Sequence, residues 1–338
     1  MKFGQVTIKD IARELGISPS TVSRALKDHP DISKDTKRLV NDLAAKLNYK
    51  PNLIALSLRS QRSNIIGVII PEIVHYFFSS VISGIEEVAN ANGYSVMIIQ
   101  SLENYEKEKA SCETLVNGII DGLLMSVSKE TVDYGHIRRV EDEGIPIVFF
   151  DRSLEESSSD RVIIDDFSGA YQAIEHLIIQ GRRKIVHFKG PLNRLIGQNR
   201  LNGYIKAMRD NGVVIDQNLI IPCDTFEGAV VETQKLIDSK VKFDAIFTVN
   251  DFTAVGVMKT LQKNGIRIPK DVSIVGFGDD QVAKMVEPSL TTIKQPGFEM
   301  GKRAMELLIK RITQTNYEPP VNEVLKTNLI IRESSSIR

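Results

Sequence analysis

A chain of 338 residues with 43 Lys+Arg, 43 Asp+Glu and 42% apolar residues is long enough for two or three domains with ample cores. It lacks the low-complexity tracts of a disordered protein. The apolar run Ile65–Ile70 is too short to span a bilayer, and the opening MKFGQVTIKD has neither an apolar h-region nor a small-residue cleavage site. Neither a membrane anchor nor a secretory signal is therefore expected. Cys112 and Cys223 stand alone, without CxxC spacing or a neighbouring histidine pair, which points to a reducing, cytoplasmic compartment and away from structural zinc.

The balanced total hides an asymmetry. Residues 1–62 carry twelve Lys+Arg and six Asp+Glu, a net charge of +6, while the remaining 276 residues carry 31 and 37, a net of −6. A basic head on an acidic body is the distribution expected when only the head meets a polyanion.

Within the head, Thr7 followed by Asp10 reads as a capping box, and Ile8, Ile11, Ala12 and Leu15 share one helical face. Gly16 breaks this helix in a short turn. Ser18 and Pro19 are good N-cap and first-turn residues for a second helix, with Val22, Ala25 and Leu26 facing inward. Ser20, Ser23 and Arg24 lie opposite. A third helix starts near Ser33, with an expected stripe of Leu39, Val40, Leu43 and Leu47. The pattern is a helix-turn-helix. Its second helix would enter a major groove, where Arg24 suits guanine edges, while Lys9, Lys34, Lys37 and Arg38 would meet phosphates. The plainer alternative is a three-helix bundle with solvated basic residues, but turn, caps and charge agree on the first.

Pro51 ends the third helix and Asn52 caps a further segment, Leu53 to Ser60, of about two turns. Isolated helices shorter than roughly 12–15 residues are marginal, yet this one carries four large aliphatics. Either a partner copy and a widened minor groove cover them, or they pack on the body.

From residue 64 short apolar runs alternate with amphipathic stretches. Expected strands are Ile65–Ile70, Val96–Ile99, Gly122–Met125, Ile147–Phe150, Arg161–Ile164, Ile185–Phe188, Ala245–Val249 and Ser273–Gly276. Helices are expected over Val81–Asn92, Gly169–Gln180, Gly197–Asp210 and Thr253–Lys263. This alternation implies parallel sheets covered on both faces. The polar stretch Glu155–Asp160 would divide the body into two halves, with a ligand cleft at the carboxyl ends of the strands.

Catalytic motifs are absent. There is no GxGxxG, no GxxxxGK[ST] and no GxSxG, and Gly276–Gln281 only begins like the first. His29, His75, His136, His176 and His187 are scattered singly. The pairs Asp165–Asp166 and Asp279–Asp280 serve equally as caps, as hydroxyl acceptors or in acid–base work. No enzyme activity, cofactor or metal is expected.

The strings VTIKDIARELGISPSTVSRAL, LNYKPNLIALSLRS and IIGVIIPEI closely resemble the lactose-repressor (LacI/GalR) family of bacterial transcription regulators. So do DGLL (121–124), FFDR (149–152), GPLNRLIGQNRLNGY (190–204), NDFTAVG (250–256), DVSIVGFGDD (271–280), LTTIKQP (290–296) and LIIRESS (329–335). The resemblance covers essentially the whole chain. It implies an α/β protein with a small all-α helix-turn-helix head (1–50), a hinge helix (51–62) and a periplasmic-binding-protein-like body of two subdomains with parallel sheets (63–338). The first subdomain would comprise 63–162 plus 292–322, the second 163–291 plus 323–338, joined by three crossings.

The resemblance further implies a homodimer on a pseudo-palindromic, double-stranded DNA operator, acting as a ligand-responsive repressor. Ser18, Pro19, Ser20 and Arg24 would read bases, with Thr21 and Ser23 nearer the phosphates and Thr7 also at the DNA. Asn52, Ile54, Ala55 and Leu58 would form paired hinge helices, Leu58 being the minor-groove wedge. The effector, a sugar, sugar acid or sugar phosphate, would meet Phe77, Phe78, Asp151, Arg152, Arg194, Ile196, Arg200, Phe226, Asn250, Asp251 and Asp279. One departure stands out: Gly278 occupies the place of the family's usual aspartate, so that acidic contact is lost or shifted to the next residue. The chain ends at Arg338 without a heptad-bearing tail, which favours a dimer over a tetramer. A periplasmic-type sugar-binding protein without DNA function is the alternative; the basic head and missing signal peptide oppose it.

Overall fold

A computed structural model describes residues 6–49, 62–74, 76–117, 120–154, 157–191, 195–314, 316 and 318–336. The chain divides into two compact units, Met1–Ser63 and Asn64–Arg338.

The first unit holds α1 (Ile8–Leu15), α2 (Pro19–Leu26) and α3 (Lys34–Lys46). Thr7 and Asp10 cap α1 reciprocally: the Thr7 N–H donates to Asp10 Oδ2 at 3.0 Å, and the Asp10 N–H donates to Thr7 Oγ1 at 3.4 Å. Gly16 ends the helix at φ 65°, a left-handed conformation that glycine adopts without strain. The core is Ile11, Ala12, Val22, Ala25, Val40, Leu43 and Ala44. Leu39, expected in that core, is 55% exposed and Ala44 is buried instead. Val40, Leu43, Ala44 and Leu47 form the i, i+3, i+4, i+7 stripe, so Leu39 falls about 100° off it. The expected hinge helix lies outside the described residues.

In the second unit the order is β1 (Ile65–Ile70), α4 (Tyr76–Ala91), β2 (Ser95–Gln100), α5 (Tyr105–Val116), β3 (Gly122–Met125), α6 (Gly135–Asp142), β4 (Ile147–Phe150) and β5 (Asp160–Ile164). Then come α7 (Asp166–Ile179), β6 (Ile185–Lys189), α8 (Leu195–Asp210), β7 (Ile220–Pro222), α9 (Phe226–Asp238), β8 (Ala245–Thr248), α10 (Asp251–Lys263) and β9 (Ser273–Gly278). The chain closes with α11 (Val282–Met285), β10 (Thr291–Lys294), α12 (Gly297–Thr313), β11 (Asn322–Leu325) and β12 (Asn328–Ile330). Helices α7 and α10 begin earlier than their apolar periodicity suggests because Asp165 and Asn250 cap them, accepting from the Ser168 and Thr253 N–H groups at 2.9 and 2.8 Å.

Two six-stranded sheets result, ordered β11-β5-β4-β3-β1-β2 and β12-β10-β9-β8-β6-β7. All pairings are parallel except β10 with β12. Every residue of β3, β4 and β8 is buried, which is why these strands read as uninterrupted apolar runs.

The division between the halves differs from expectation. The stretch 155–160 does not separate them, because β5 begins at Asp160 and pairs with β4 and β11 in the first sheet. The chain crosses after Ile164. It crosses again between β10, which lies in the second sheet, and α12, and a third time between β11 and β12. The expected limits at 162, 292 and 322 thus move by a few residues. Apolar pattern marks a strand but not the sheet that receives it.

The carboxyl-terminal segment threads into the second half. The Ile274 N–H donates to Ser334 O at 2.8 Å, and Ser334 Oγ donates to Ile274 O at 2.7 Å. Ser335 Oγ lies 2.7 Å from both Thr291 Oγ1 and His176 Nε2. In the first half α4 and α12 pack at bare backbone: a Cβ on Gly84 would sit 2.0 Å from Phe298 O, and one on Gly301 2.0 Å from Val81 O. Gly301→Ala is therefore expected to force the helices apart at a cost of about 1–3 kcal/mol, read as a melting temperature lowered by several degrees. An unchanged melting temperature would show that the contact yields freely.

Candidate ligand cleft and nucleic-acid interface

On α2, Ser18, Pro19, Ser20 and Arg24 are exposed, and Thr21 and Ser23 half-exposed. Ser18 Oγ accepts the Thr21 N–H at 3.1 Å and lies 2.7 Å from Ser20 Oγ and 2.8 Å from Thr21 Oγ1. A row of hydroxyls thus crowns the positive end of a short helix, with a cation one turn further along. Thr7 is exposed beside it, but its hydroxyl donates to Asp10 at 2.7 Å. Lys9, Lys34 and Arg38 are exposed, whereas Lys37 is committed to Asp28 at 2.7 Å. Asn52, Ile54, Ala55 and Leu58 lie outside the described residues.

In the body, β1 lies between β2 and β3, and β6 between β7 and β8. Crossovers leave these neighbours in opposite directions, which opens a crevice at the carboxyl ends of both sheets. A cavity of about 500 Å³ lies there, lined from both halves. Glu72 follows β1, Glu103 follows β2, Lys129 follows β3, and Asp151 and Arg152 follow β4. From the second half, Asp224 and Phe226 follow β7, Asn250 follows β8, and Gly278 and Asp280 end β9.

Eight of the expected effector residues line this cavity: Phe77, Phe78, Asp151, Arg152, Ile196, Arg200, Phe226 and Asn250. Arg194 lies outside the described residues. Asp251 is fully buried beneath the wall, accepting from the Asp280 N–H at 2.8 Å and the Thr292 hydroxyl at 2.6 Å. Asp279 turns away from the cavity and pairs with Arg332. Gly278 and Asp279 make this turn together, both at positive φ (+146° and +56°). Side chains rarely adopt the Gly278 conformation, and a Cβ there would lie 3.2 Å from Asp251 Oδ2. The chain swings so that Asp280, two positions on, faces the cavity. Sequence reasoning also passed over Glu72, Glu103, Lys129, Asp224 and Glu227. Their signal was position alone, each standing within a few residues of a strand's carboxyl end.

The charges are tightly managed. Arg152 Nη1 donates to Glu103 Oε1 and Oε2 at 2.9 and 2.8 Å. Arg200 donates to Asp166 Oδ1 at 2.7 Å and to Val249 O at 2.5 Å, and its guanidinium lies 3.6 Å from the centroid of the Phe277 ring. Lys129 Nζ reaches Asp224 Oδ2 at 2.7 Å. Burial pushes the Asp151 carboxyl up despite Arg152 and Arg200, pushes Asp166 up to about 6 against its Arg200 partner, and pushes Asp251 up to about 7. Asn250 lines the cavity, but its amide caps α10 and holds Asp224 O at 2.8 Å.

The sequence profile described as "Bacterial regulatory proteins, lacI family" matches residues 7–52, and "Periplasmic binding protein-like domain" matches 174–335. The HTH-type transcriptional repressor PurR of Vibrio atlanticus (strain LGP32) is 34% identical over 324 residues, 94% of this chain and 95% of its own length. Among solved structures, the lac repressor dimer bound to operator and the anti-inducer ONPF superposes with a TM-score of 0.85 at 25% identity, covering 98% of this chain and 99% of that one. A CelR–cellobiose complex gives 0.75 at 28% identity, covering 97% and 99%.

Because folded Asp251 keeps its proton to about pH 7, well above its ordinary value of 3.8, the stability it contributes is fully present below that value and is lost as pH rises through about 7. Asp166 adds a slope of the same sign. Urea unfolding is expected to show Asp251→Asn losing less stability than the parent across that window, by on the order of 2 kcal/mol. Equal slopes in the two proteins would count against it.

Proposed function

The chain belongs to the lacI family of bacterial regulatory proteins, and from this premise we propose which faces carry its two binding events and what chemistry the cleft accepts. It is a DNA-binding, ligand-responsive transcriptional regulator. In the proposed arrangement the chain acts as a cytoplasmic homodimer, with a head of residues 1–50, a linker of 51–62 and a body of 63–338. Ser18, Pro19, Ser20 and Arg24 read base edges, with Thr7, Thr21 and Ser23 toward phosphates. Asn52, Ile54, Ala55 and Leu58 meet the minor groove. What supports this is the exposed hydroxyl row and arginine on α2, the commonest chemistry of major-groove readout.

For the cleft, the effector is an uncharged, hydroxyl-rich molecule, a carbohydrate, and not a sugar acid or sugar phosphate. The observation that carries this is charge. Among the described residues of the lining, six carboxylates (Glu72, Glu103, Asp151, Asp224, Glu227, Asp280) stand against three cations. Each of those cations, Lys129, Arg152 and Arg200, is already matched by a carboxylate. An anion entering this partly enclosed space would face a net negative field. Carboxylates accept from hydroxyls, and the Phe77, Phe78 and Phe226 rings offer faces to a sugar's C–H surface. The cellobiose held by CelR is a molecule of that kind. No catalytic step is assigned; these groups bind.

A thermal-shift series with D-ribose, D-glucose and cellobiose against gluconate and glucose 6-phosphate tests the charge reading. An uncharged sugar at about 100 times its Kd is expected to add roughly 2.7 kcal/mol, and a larger shift with either anion would overturn it. On the DNA side, Arg24→Ala is expected to relax base preference at one position by about 1–3 kcal/mol while keeping the salt dependence of binding. A uniform loss across all operator variants would instead make Arg24 a phosphate contact.

A further inference from the structure

Lys129 and Asp224 belong to opposite halves of the body, and their ion pair crosses the cleft. Exposed lysine pairs usually contribute little, because ordering a long side chain cancels much of the attraction. Here the backbone at each end is held independently of the pair. On the first half, the fully buried Glu108 reaches beneath the segment after β3. Its carboxylate accepts the Ser128 N–H at 2.6 Å and the Thr131 hydroxyl at 2.7 Å, and it meets His136 Nε2 at 2.9 Å. Glu103 accepts the Lys129 N–H itself at 2.8 Å while also holding Arg152.

The second half is built the same way. Thr225, next to Asp224, caps α9 by accepting the Gly228 N–H at 3.1 Å, and Asn250 donates to Asp224 O at 2.8 Å. Buried and half-buried groups therefore fix both loops, leaving little but the two side chains to order.

We propose that Lys129 and Asp224 form a latch that holds the two halves of the cleft together and sets how far it stands open. Three backbone crossings join the halves, and the latch adds a side-chain contact between them. With side chains 36% and 26% exposed, the pair is open to screening, so the latch weakens as salt rises. The proposal rests on the cleft opening and closing, and needs neither the identity nor the class of its ligand.

The test uses the full-length, ligand-free protein. Spin labels are placed through Val132→Cys on the first half and Val231→Cys on α9, both exposed positions. The native Cys112 and Cys223 are buried, with thiols pushed up to about 12 and about 11, and stay unlabelled. Pulsed dipolar spectroscopy is expected to give a narrow distance distribution in the parent. Lys129→Met or Asp224→Asn should each lengthen and broaden it by several ångströms, and molar salt should do so in the parent alone. The exchanged pair, Lys129→Asp with Asp224→Lys, should restore the parent distribution. Single variants indistinguishable from the parent, or an exchanged pair no better than either single, would overturn the latch. Loss of the latch would free Lys129 but leave six carboxylates against three cations in the lining, and silence in the sugar series leaves the latch standing.

Discussion

In a parallel sheet each strand needs a crossover connection, usually a helix, before its parallel neighbour can begin. Where two neighbouring strands send their crossovers to opposite faces, the loops part and leave a gap that no side chain of the sheet can fill. That gap falls between β1 and β3 in one half and between β6 and β8 in the other. The body's candidate binding chemistry hangs from it. Glu72, Lys129, Pro191 and Asn250 come together because each follows one of those four strands, not because they are near in sequence.

The gap is lined with charge that would be costly to bury unmatched, and the protein answers with pairs that also hold the walls in shape. Arg200 shows the principle. One carboxylate, one carbonyl and one aromatic face fix its guanidinium, so it shapes the wall between α8 and β9 as a rigid plane. Glu103 does the reverse, one carboxylate tying Arg152 and the Lys129 backbone into one surface.

Much of the architecture was legible from local pattern. The caps at Thr7, Ser18 and Ser33 start helices where the residue types say they should. The strands β1, β3 and β4 begin and end with their apolar runs. What escaped was helical phase at one position and pairing between distant segments. Leu39 looks apolar enough for a core, yet helical phase turns it outward. The short strands β7, β10 and β11 give little apolar signal of their own, and threonines replace aliphatics in β10. In the cleft, family motifs named Phe77, Phe78, Phe226, Arg152 and Arg200, which line the cavity, but did not distinguish Asp251, Asp279 and Asp280. The acids look alike in sequence; Asp251 is a buried acceptor at the start of α10, while positive φ at Gly278 and Asp279 separates an ion-pair partner from the cavity-facing Asp280.

The threading of Ser334 and Ser335 between β9 and β10 bears on how the protein comes into being. Synthesis proceeds from the amino end, so the three-helix head, with its own local core, has all its residues as soon as it leaves the ribosome. Neither half of the body has that advantage. The first lacks α12 and β11 until residues 297–325 emerge, and Ile274 in the second has no partner for its N–H until Ser334 does. For most of its translation, then, each nascent chain carries two unfinished sheets: the first gains β11 only once residue 325 has emerged, and the second waits longer still for Ser334.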